Sequence, residues 1–112
     1  MNGAAYLQRV KAHLKTAYLL SDEKIETMIP IFLATLHTHM NRLGELALEN
    51  DTEQLAKASH AVKGALLNIG LLDLAETAAA IEQQCKNCAG PDNYRELIND
   101  LQYTVERFSA DW

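Results

Sequence analysis

The chain has 112 residues, a formal net charge of −5, and 48% hydrophobic against 22% charged residues. This length suits one domain with its own core, which we expect to cover residues 1–112. The acidic balance argues against a general nucleic-acid binder and against docking on an anionic membrane surface. Neither a membrane-spanning apolar run nor a signal-peptide pattern is found, so we expect a cytoplasmic protein or the cytoplasmic end of a longer one.

The composition favours helices along the whole chain, because Ala, Leu, Glu, Lys and Gln dominate while Gly and Pro are sparse. The first predicted helix covers residues 4–19. The second covers residues 22–49, begins after a Ser21 cap, and contains Pro30, which we expect to kink it or to split off its first turns. Its predicted core stripe consists of Ile25, Ile29, Phe32, Leu36, Met40, Leu43 and Ala47.

Three more helices follow with short connections. The third begins after a cap at residues 50–52 and ends at Gly70, a C-terminal stop. The fourth covers residues 71–87, and a break at residues 90–92 separates it from the fifth. Short connections between amphipathic helices predict antiparallel neighbours in an up-down bundle. The inward residues are Leu55, Ala58, Val62, Ala65 and Ile69, then Leu74, Ala78, Ile81 and Cys85, then Tyr94, Leu97, Leu101, Val105 and Phe108.

One histidine of the third helix lies outside this apolar stripe. At about 100° per residue, His60 falls opposite the stripe, so we expect its side chain at the solvent or at the rim of the bundle. Ala56 and Gly64 lie one turn to either side of it, and both are small. Lys63 follows at i+3 and Leu67 at i+7. A glycine in the middle of a helix costs about 1 kcal/mol of helix stability relative to alanine. A residue such as Gly64, which is unfavourable for the helix and lies on its exposed face, often marks a functional site.

This arrangement suits a phosphoryl carrier. The attacking atom must be an unprotonated ring nitrogen, and an ordinary histidine is largely neutral at pH 7. The ammonium of Lys63 would disfavour the charged ring and would later pair with the phosphoryl group. Ala56 and Gly64 would leave room for a second protein to bring its own site in line with the nitrogen. Leu67 remains open between a docking residue and core beneath the first helix.

Residues 59–70, Ser-His-Ala-Val-Lys-Gly-Ala-Leu-Leu-Asn-Ile-Gly, resemble the signature of the histidine-phosphotransfer (HPt) domains of bacterial phosphorelays. The resemblance covers most of the chain and implies an all-α fold, an antiparallel four-helix bundle with an additional N-terminal helix. It implies that His60 accepts a phosphoryl group from a receiver aspartate and returns it to another. The positions that match the family pattern are His60, Val62, Lys63, Gly64, Ala65 and Gly70.

The resemblance also implies the partners, namely response-regulator receiver domains and a hybrid sensor histidine kinase. The receiver would supply magnesium and an acidic pocket, so the chain would need no cofactor of its own. In this family a side chain of the next helix often contacts the histidine, and Glu82 is nearest in this sequence. A carboxylate there would bond the ring differently from an amide. We expect a monomeric phosphocarrier, and we find no Gly-rich nucleotide loop of a kinase.

Two other functions fit parts of the sequence. A bundle of the same fold could act as a protein-interaction module whose histidine is never phosphorylated. A metal-binding bundle could use His37, His39, Cys85 and Cys88, although the single Cys-x-x-Cys lacks a second pair. The simpler interpretation makes the cysteines small buried hydrophobes and the two histidines boundary residues. We expect Phe108 and Trp112 to close one end of the bundle.

Overall fold

The computed structural model describes residues 3–87, 90–110 and 112, with the side chains of residues 91 and 92 left aside. Five helices account for most of these residues, and no strand occurs among them. The helices are α1 (Gly3–Ala17), α2 (Asp22–Glu49), α3 (Thr52–Asn68), α4 (Leu72–Lys86) and α5 (Pro91–Ala110). The predicted all-α class is therefore confirmed, and the boundaries differ from the expected ones by a few residues.

The last four helices form a closed ring. Helix α2 contacts α3, α3 contacts α4, α4 contacts α5, and α5 returns to α2. Helix α1 packs against α5 and α2 from outside this ring, which confirms the four-helix bundle with an added N-terminal helix. The molecule measures 44 × 22 × 21 Å, and its long axis matches a helix of the length of α2 at about 1.5 Å per residue. Within the part of the chain that the structure describes, no helix is both long and apolar enough to cross a bilayer.

Side-chain caps explain where α2 and α3 begin. The hydroxyl of Ser21 accepts from the backbone N–H of Lys24 at 3.2 Å, and a carboxylate oxygen of Asp51 accepts from that of Gln54 at 3.2 Å. Each bond satisfies one of the N–H groups that a helix start leaves unpaired. Between these two caps, Asn50 adopts the left-handed conformation (φ 55°) and ends α2. The connection from α2 to α3 is therefore as short as the sequence predicts.

Pro30 does not split off the first turns of α2, contrary to one of the two outcomes we expected. The helix runs unbroken from Asp22 to Glu49. Pro30 is exposed, and so is Glu26, whose carbonyl lacks the N–H partner that proline cannot supply. Because this carbonyl lies on the outer face of the helix, water can satisfy it there, and the helix continues.

The core is wider than the predicted stripes. In α2, Leu33 and Leu46 are buried, whereas the predicted Phe32 and Ala47 are only partly buried. Helix α2 packs against both α3 and α5, so its buried face is set between two neighbours rather than by one. Three other predicted core residues, Ala58, Ala65 and Leu97, are likewise partly buried beside the core.

Helix α1 is attached by polar and aromatic contacts as well as by its apolar face. The guanidinium of Arg9 donates to both carboxylate oxygens of Asp73 in α4, at 2.7 and 3.2 Å. The rings of Tyr6 and Phe108 lie 5.5 Å apart. Phe108 is fully buried, as expected for a residue that closes the bundle, but Trp112 remains 40% exposed beside the ammonium of Lys11.

Candidate functional site

His60 lies near the middle of α3 with its side chain 66% exposed. The opposite face of the helix is held in the core by Leu55, Val62 and Leu66, all fully buried. This anchoring fixes the rotation of α3 about its axis and leaves the imidazole at the rim. The exposure expected from the helical pattern is therefore what the structure shows.

A carboxylate of the next helix meets the imidazole. Nδ1 of His60 lies 3.2 Å from Oε2 and 3.3 Å from Oε1 of Glu82 in α4. The Glu82 side chain is only 10% exposed, so the contact is made at the base of the ring, away from solvent. The structure thus places Glu82 against His60, where the sequence put the nearest residue of the next helix.

Two lysines complete this group. Nζ of Lys63 lies 3.3 Å from Oε1 of Glu82, and Nζ of Lys86 lies 3.0 Å from Oε2. We call His60, Lys63, Glu82 and Lys86 the Glu82 cluster. With His60 neutral it carries two positive charges and one negative charge, a local surplus of positive charge in a chain of net charge −5.

Electrostatics fix the protonation of Glu82. Burial raises the pKa of Glu82, but hydrogen bonds from Lys86, His60 and Lys63, together with the charge of Lys63, outweigh it and lower the pKa to about 2. Glu82 is therefore a carboxylate throughout the neutral range, and a carboxylate only accepts hydrogen bonds. The network consequently assigns the proton of a neutral His60 ring to Nδ1 and leaves Nε2 with a free lone pair.

The predicted role of Lys63 changes in detail. We expected its ammonium to act directly on the ring, whereas the structure directs it to the carboxylate. Its influence on His60 thus passes through Glu82. Lys86 was not anticipated at all, although the sequence carries a signal for it, since it follows Glu82 at i+4, a spacing at which helical side chains meet.

The small residues flanking His60 differ from each other. Ala56, expected on the exposed face, is only 8% exposed because it lies at the edge of α3 that α4 covers. It still lines a shallow recess beside His60, Glu82 and Lys86. At Gly64, by contrast, an added Cβ would meet no atom within 4 Å apart from its two chain neighbours and its own helix backbone, so the surface one turn from the ring is open on this side.

An apolar groove adjoins the open side. Leu67 does not line this groove; it is 44% exposed elsewhere on α3, which resolves the two interpretations of this residue against a core position. Ile31 of α2 is 62% exposed across the groove between α2 and α3. The groove is lined by Ile31, Phe32, Thr35, His39, Ala61, Gly64, Ala65 and Asn68.

The residues proposed for a metal site are not brought together where the structure describes them. His37 is exposed and His39 is half-buried on α2, whereas Cys85 is buried on α4, which is not adjacent to α2 in the ring of helices. Burial raises the pKa of the Cys85 thiol, as for a small hydrophobe of the core. Cys88 lies outside the described residues. Among the residues that are described, no group of three or more His, Cys, Asp and Glu side chains could hold a metal ion.

Fold and site together define a class: a four-helix bundle in which one exposed histidine is oriented by a buried side chain of the adjacent helix. A family model described as Hpt domain matches residues 27–111, which include all of α3 and α4. The chain therefore belongs to the Hpt domain family, and its function is histidine phosphotransfer in phosphorelay signalling. Comparison with curated proteins and with solved structures gives no match. Helix α1 and the first turn of α2 precede the matched region.

Proposed function

We propose that the chain accepts a phosphoryl group on Nε2 of His60 from the aspartyl phosphate of one receiver domain and passes it to an aspartate of another. The observation that carries this proposal is the hydrogen bond between Nδ1 and the ionised Glu82. In the neutral ring this bond leaves the outer nitrogen unprotonated, on a side chain that is two-thirds exposed. A nucleophile in this state needs no base to activate it.

The transfer balances without any further group on this chain. The Nε2 lone pair attacks phosphorus while the bond to the aspartyl oxygen breaks and its electron pair returns to that carboxylate. In the second step an aspartate oxygen attacks phosphorus and the pair of the N–P bond returns to Nε2. We propose that each receiver supplies magnesium and the acidic pocket that neutralise the transferring group, and that this chain supplies no cofactor.

The surface around His60 fits such a partner. In-line transfer requires close approach of two proteins, and the open side at Gly64 permits it. Exposed Leu67, two turns from His60 on α3, and exposed Ile31, in the groove between α2 and α3, offer apolar contact on the surface around the site. A hybrid sensor kinase, through its receiver, is the upstream donor in this proposal, and a response regulator is the acceptor. A monomeric state and a cytoplasmic location belong to the same proposal.

We propose that Lys63 steadies the phosphorylated state. Its side chain is 29% exposed and its ammonium lies on Glu82, next to the ring. A phosphoryl group on His60 would add negative charge at the edge of a cluster that has positive charge in surplus. Charge-assisted contacts of this kind are stronger than neutral ones, so the lysine would favour the phosphohistidine without taking part in bond making.

Phosphotransfer assays with purified receivers of the source genome test this function. A receiver carrying labelled phosphate should pass the label to the chain, and a second receiver should then remove it. His60→Gln should take up no label, whereas His37→Gln, a matched change at an exposed histidine of α2, should behave as the parent. Label uptake by His60→Gln at the parental rate would refute the assignment. Receiver binding without label uptake by the parent would favour the interaction-module alternative.

A further inference from the structure

The oriented ring has a consequence for the phosphorylated state. When Nε2 attacks phosphorus, its lone pair becomes the N–P bond while Nδ1 still carries its proton. The phosphorylated ring is then a cation, and it stays one only as long as Nδ1 keeps that proton. If the proton is lost, the ring becomes neutral, and breaking the N–P bond would then release an imidazolate, a much poorer leaving group.

Glu82 bears directly on this proton. Both of its oxygens lie within 3.3 Å of Nδ1, and its side chain is 10% exposed. A carboxylate can accept from Nδ1–H, but it has no proton to donate to an unprotonated Nδ1. An amide at the same place could turn and do either. The carboxylate therefore favours only the protonated form of the phosphorylated ring.

We propose that Glu82 is a positioning residue that holds the proton on Nδ1 throughout the phosphorylated state, so that His60 always leaves as a neutral imidazole and no proton enters or leaves in a full cycle. This inference rests on the proposed function only for its biological setting, since the chemistry holds for any phosphoryl group on Nε2. Its observable consequence is a phosphohistidine that remains reactive to a higher pH than the same ring without the carboxylate.

Other charged groups around the ring act in the opposite direction or more weakly. Positive charge near Nδ1 favours loss of its proton, and both Lys63 and Lys86 carry such charge, but each is bound to Glu82 rather than to the ring. Glu82 is the group in direct hydrogen-bond contact with the ring, so its effect should dominate. Lys57 of α3 lines the same recess as His60, and His39 and Arg42 of α2 line the neighbouring groove, which does not include His60.

The pH dependence of the hydrolysis rate of the phosphorylated chain shows whether Nδ1 carries its proton. Phosphohistidine is labile when its ring is protonated and stable when it is not, so the rate falls from a plateau as pH rises through an inflection. Replacing the carboxylate beside the ring by an amide removes a nearby negative charge, and such a charge ordinarily shifts the pKa of its neighbour by one pH unit or more. We expect Glu82→Gln to lower the inflection by about one pH unit, a value at the low end because the ring is largely exposed.

The experiment loads the full chain with phosphoramidate, a small phosphoryl donor, and follows the phosphorus NMR signal of His60 between about pH 5 and pH 9. The signal is assigned by its absence in His60→Gln. Glu76→Gln makes the same chemical change at an exposed position of α4 and should match the parent. An inflection in Glu82→Gln equal to that of the parent would overturn the proposal.

A second variant tests the opposite direction. Lys86→Met removes a competing donor and a positive charge from Glu82, so its inflection should rise above that of the parent. Opposite shifts in the two variants cannot come from a loosened fold. If Glu82→Gln fails to fold or to load, Lys86→Met decides alone, and an unchanged or lowered inflection overturns the proposal. Because phosphoramidate replaces the receiver, failure of receiver transfer would count against the proposed function and not against this inference.

Discussion

Two histidines of this chain each lie next to a glycine, and the two pairs are built in opposite ways. His60 is exposed, and the space beside Gly64 is empty. His13 is half-buried, edge-on to the ring of Tyr18 at 5.7 Å, and packs directly on Gly70. In one pair the missing side chain leaves room for another protein. In the other it leaves room for a helix of the same chain.

The backbone explains why Gly70 serves the second purpose. It has a φ of +79°, a conformation that residues with a Cβ rarely adopt. Its N–H donates to the carbonyl of Leu67 at 3.1 Å, and that of Leu71 to Leu66 at 3.0 Å, which closes the C-terminus of α3. A Cβ at this position would overlap the His13 side chain. Glycine is therefore required here by fold, whereas nothing within the described structure requires it at position 64.

Filling the open side of His60 should have the largest effect. Gly64→Gln places a long side chain beside the ring, and we expect receiver-dependent transfer to fall on the order of 100-fold, as displaced reacting groups do. The fold should persist, since a Cβ at position 64 meets nothing. Transfer kinetics with a phosphorylated receiver give the result.

Gly90→Gln is the matched control, because a Cβ at Gly90 also meets nothing within 4 Å but lies in the connection between α4 and α5. Its transfer rate should equal that of the parent. Parental rates in Gly64→Gln would mean that no partner approaches this side of the ring.

Replacing Gly64 or Gly70 by alanine should change the free energy of unfolding in opposite directions. Gly70→Ala should lower the free energy of unfolding by about 2 kcal/mol or more, because left-handed strain costs roughly 1–2 kcal/mol and the overlap with His13 adds to it. Gly64→Ala should raise it by up to about 1 kcal/mol through helix propensity. Urea unfolding of both variants measures the two changes in the free energy of unfolding. If both changes have the same sign, the two glycines do not serve different purposes.

The cost of the overlap with His13 can be measured separately from the cost of the left-handed backbone at position 70. In a His13→Ala background the side chain that a Cβ at position 70 would meet is absent, so Gly70→Ala should cost only the strain, about 1–2 kcal/mol. The two changes must then be non-additive. Additive costs would show that His13 relaxes freely and that the packing on Gly70 has no energetic weight.

The smallest effect expected is that of Lys63. Lys63→Ala leaves the nucleophile and Glu82 in place, so we expect several-fold slower transfer or a several-fold shorter phosphohistidine lifetime. A partly exposed charge-assisted contact is worth about 1 kcal/mol. Lys24→Ala, at an exposed lysine in the first turn of α2, is the matched control. If both variants keep parental rates in both directions, Lys63 is a solubilising charge only.

Features that depend on a single helix follow from the sequence. The position of His60 opposite Leu55 and Val62 follows from helical periodicity alone, and so does the exposure of the imidazole. What depends on the packing of two helices was less well predicted. Ala56 is covered because α4 passes over that edge of α3, and no periodicity within α3 encodes this.

The direction of Lys63 shows the same limit. From its spacing, its ammonium could reach either the ring of His60 or any acceptor on the next helix. The position of Glu82 against α3 decides the outcome, and with Lys86 it forms a cluster that spans two helices. In α2, the shift of the core from Phe32 to Leu33 likewise follows from contact with two neighbouring helices.

Of the four histidines, we expect only His60 to be the phosphoryl acceptor. Mass-spectrometric mapping of the parent chain, phosphorylated by its receiver and handled at alkaline pH to preserve phosphohistidine, tests it most directly. We expect phosphate on His60 and none on His13, His37 or His39. Phosphate on any of those three with His60 unmodified would contradict it.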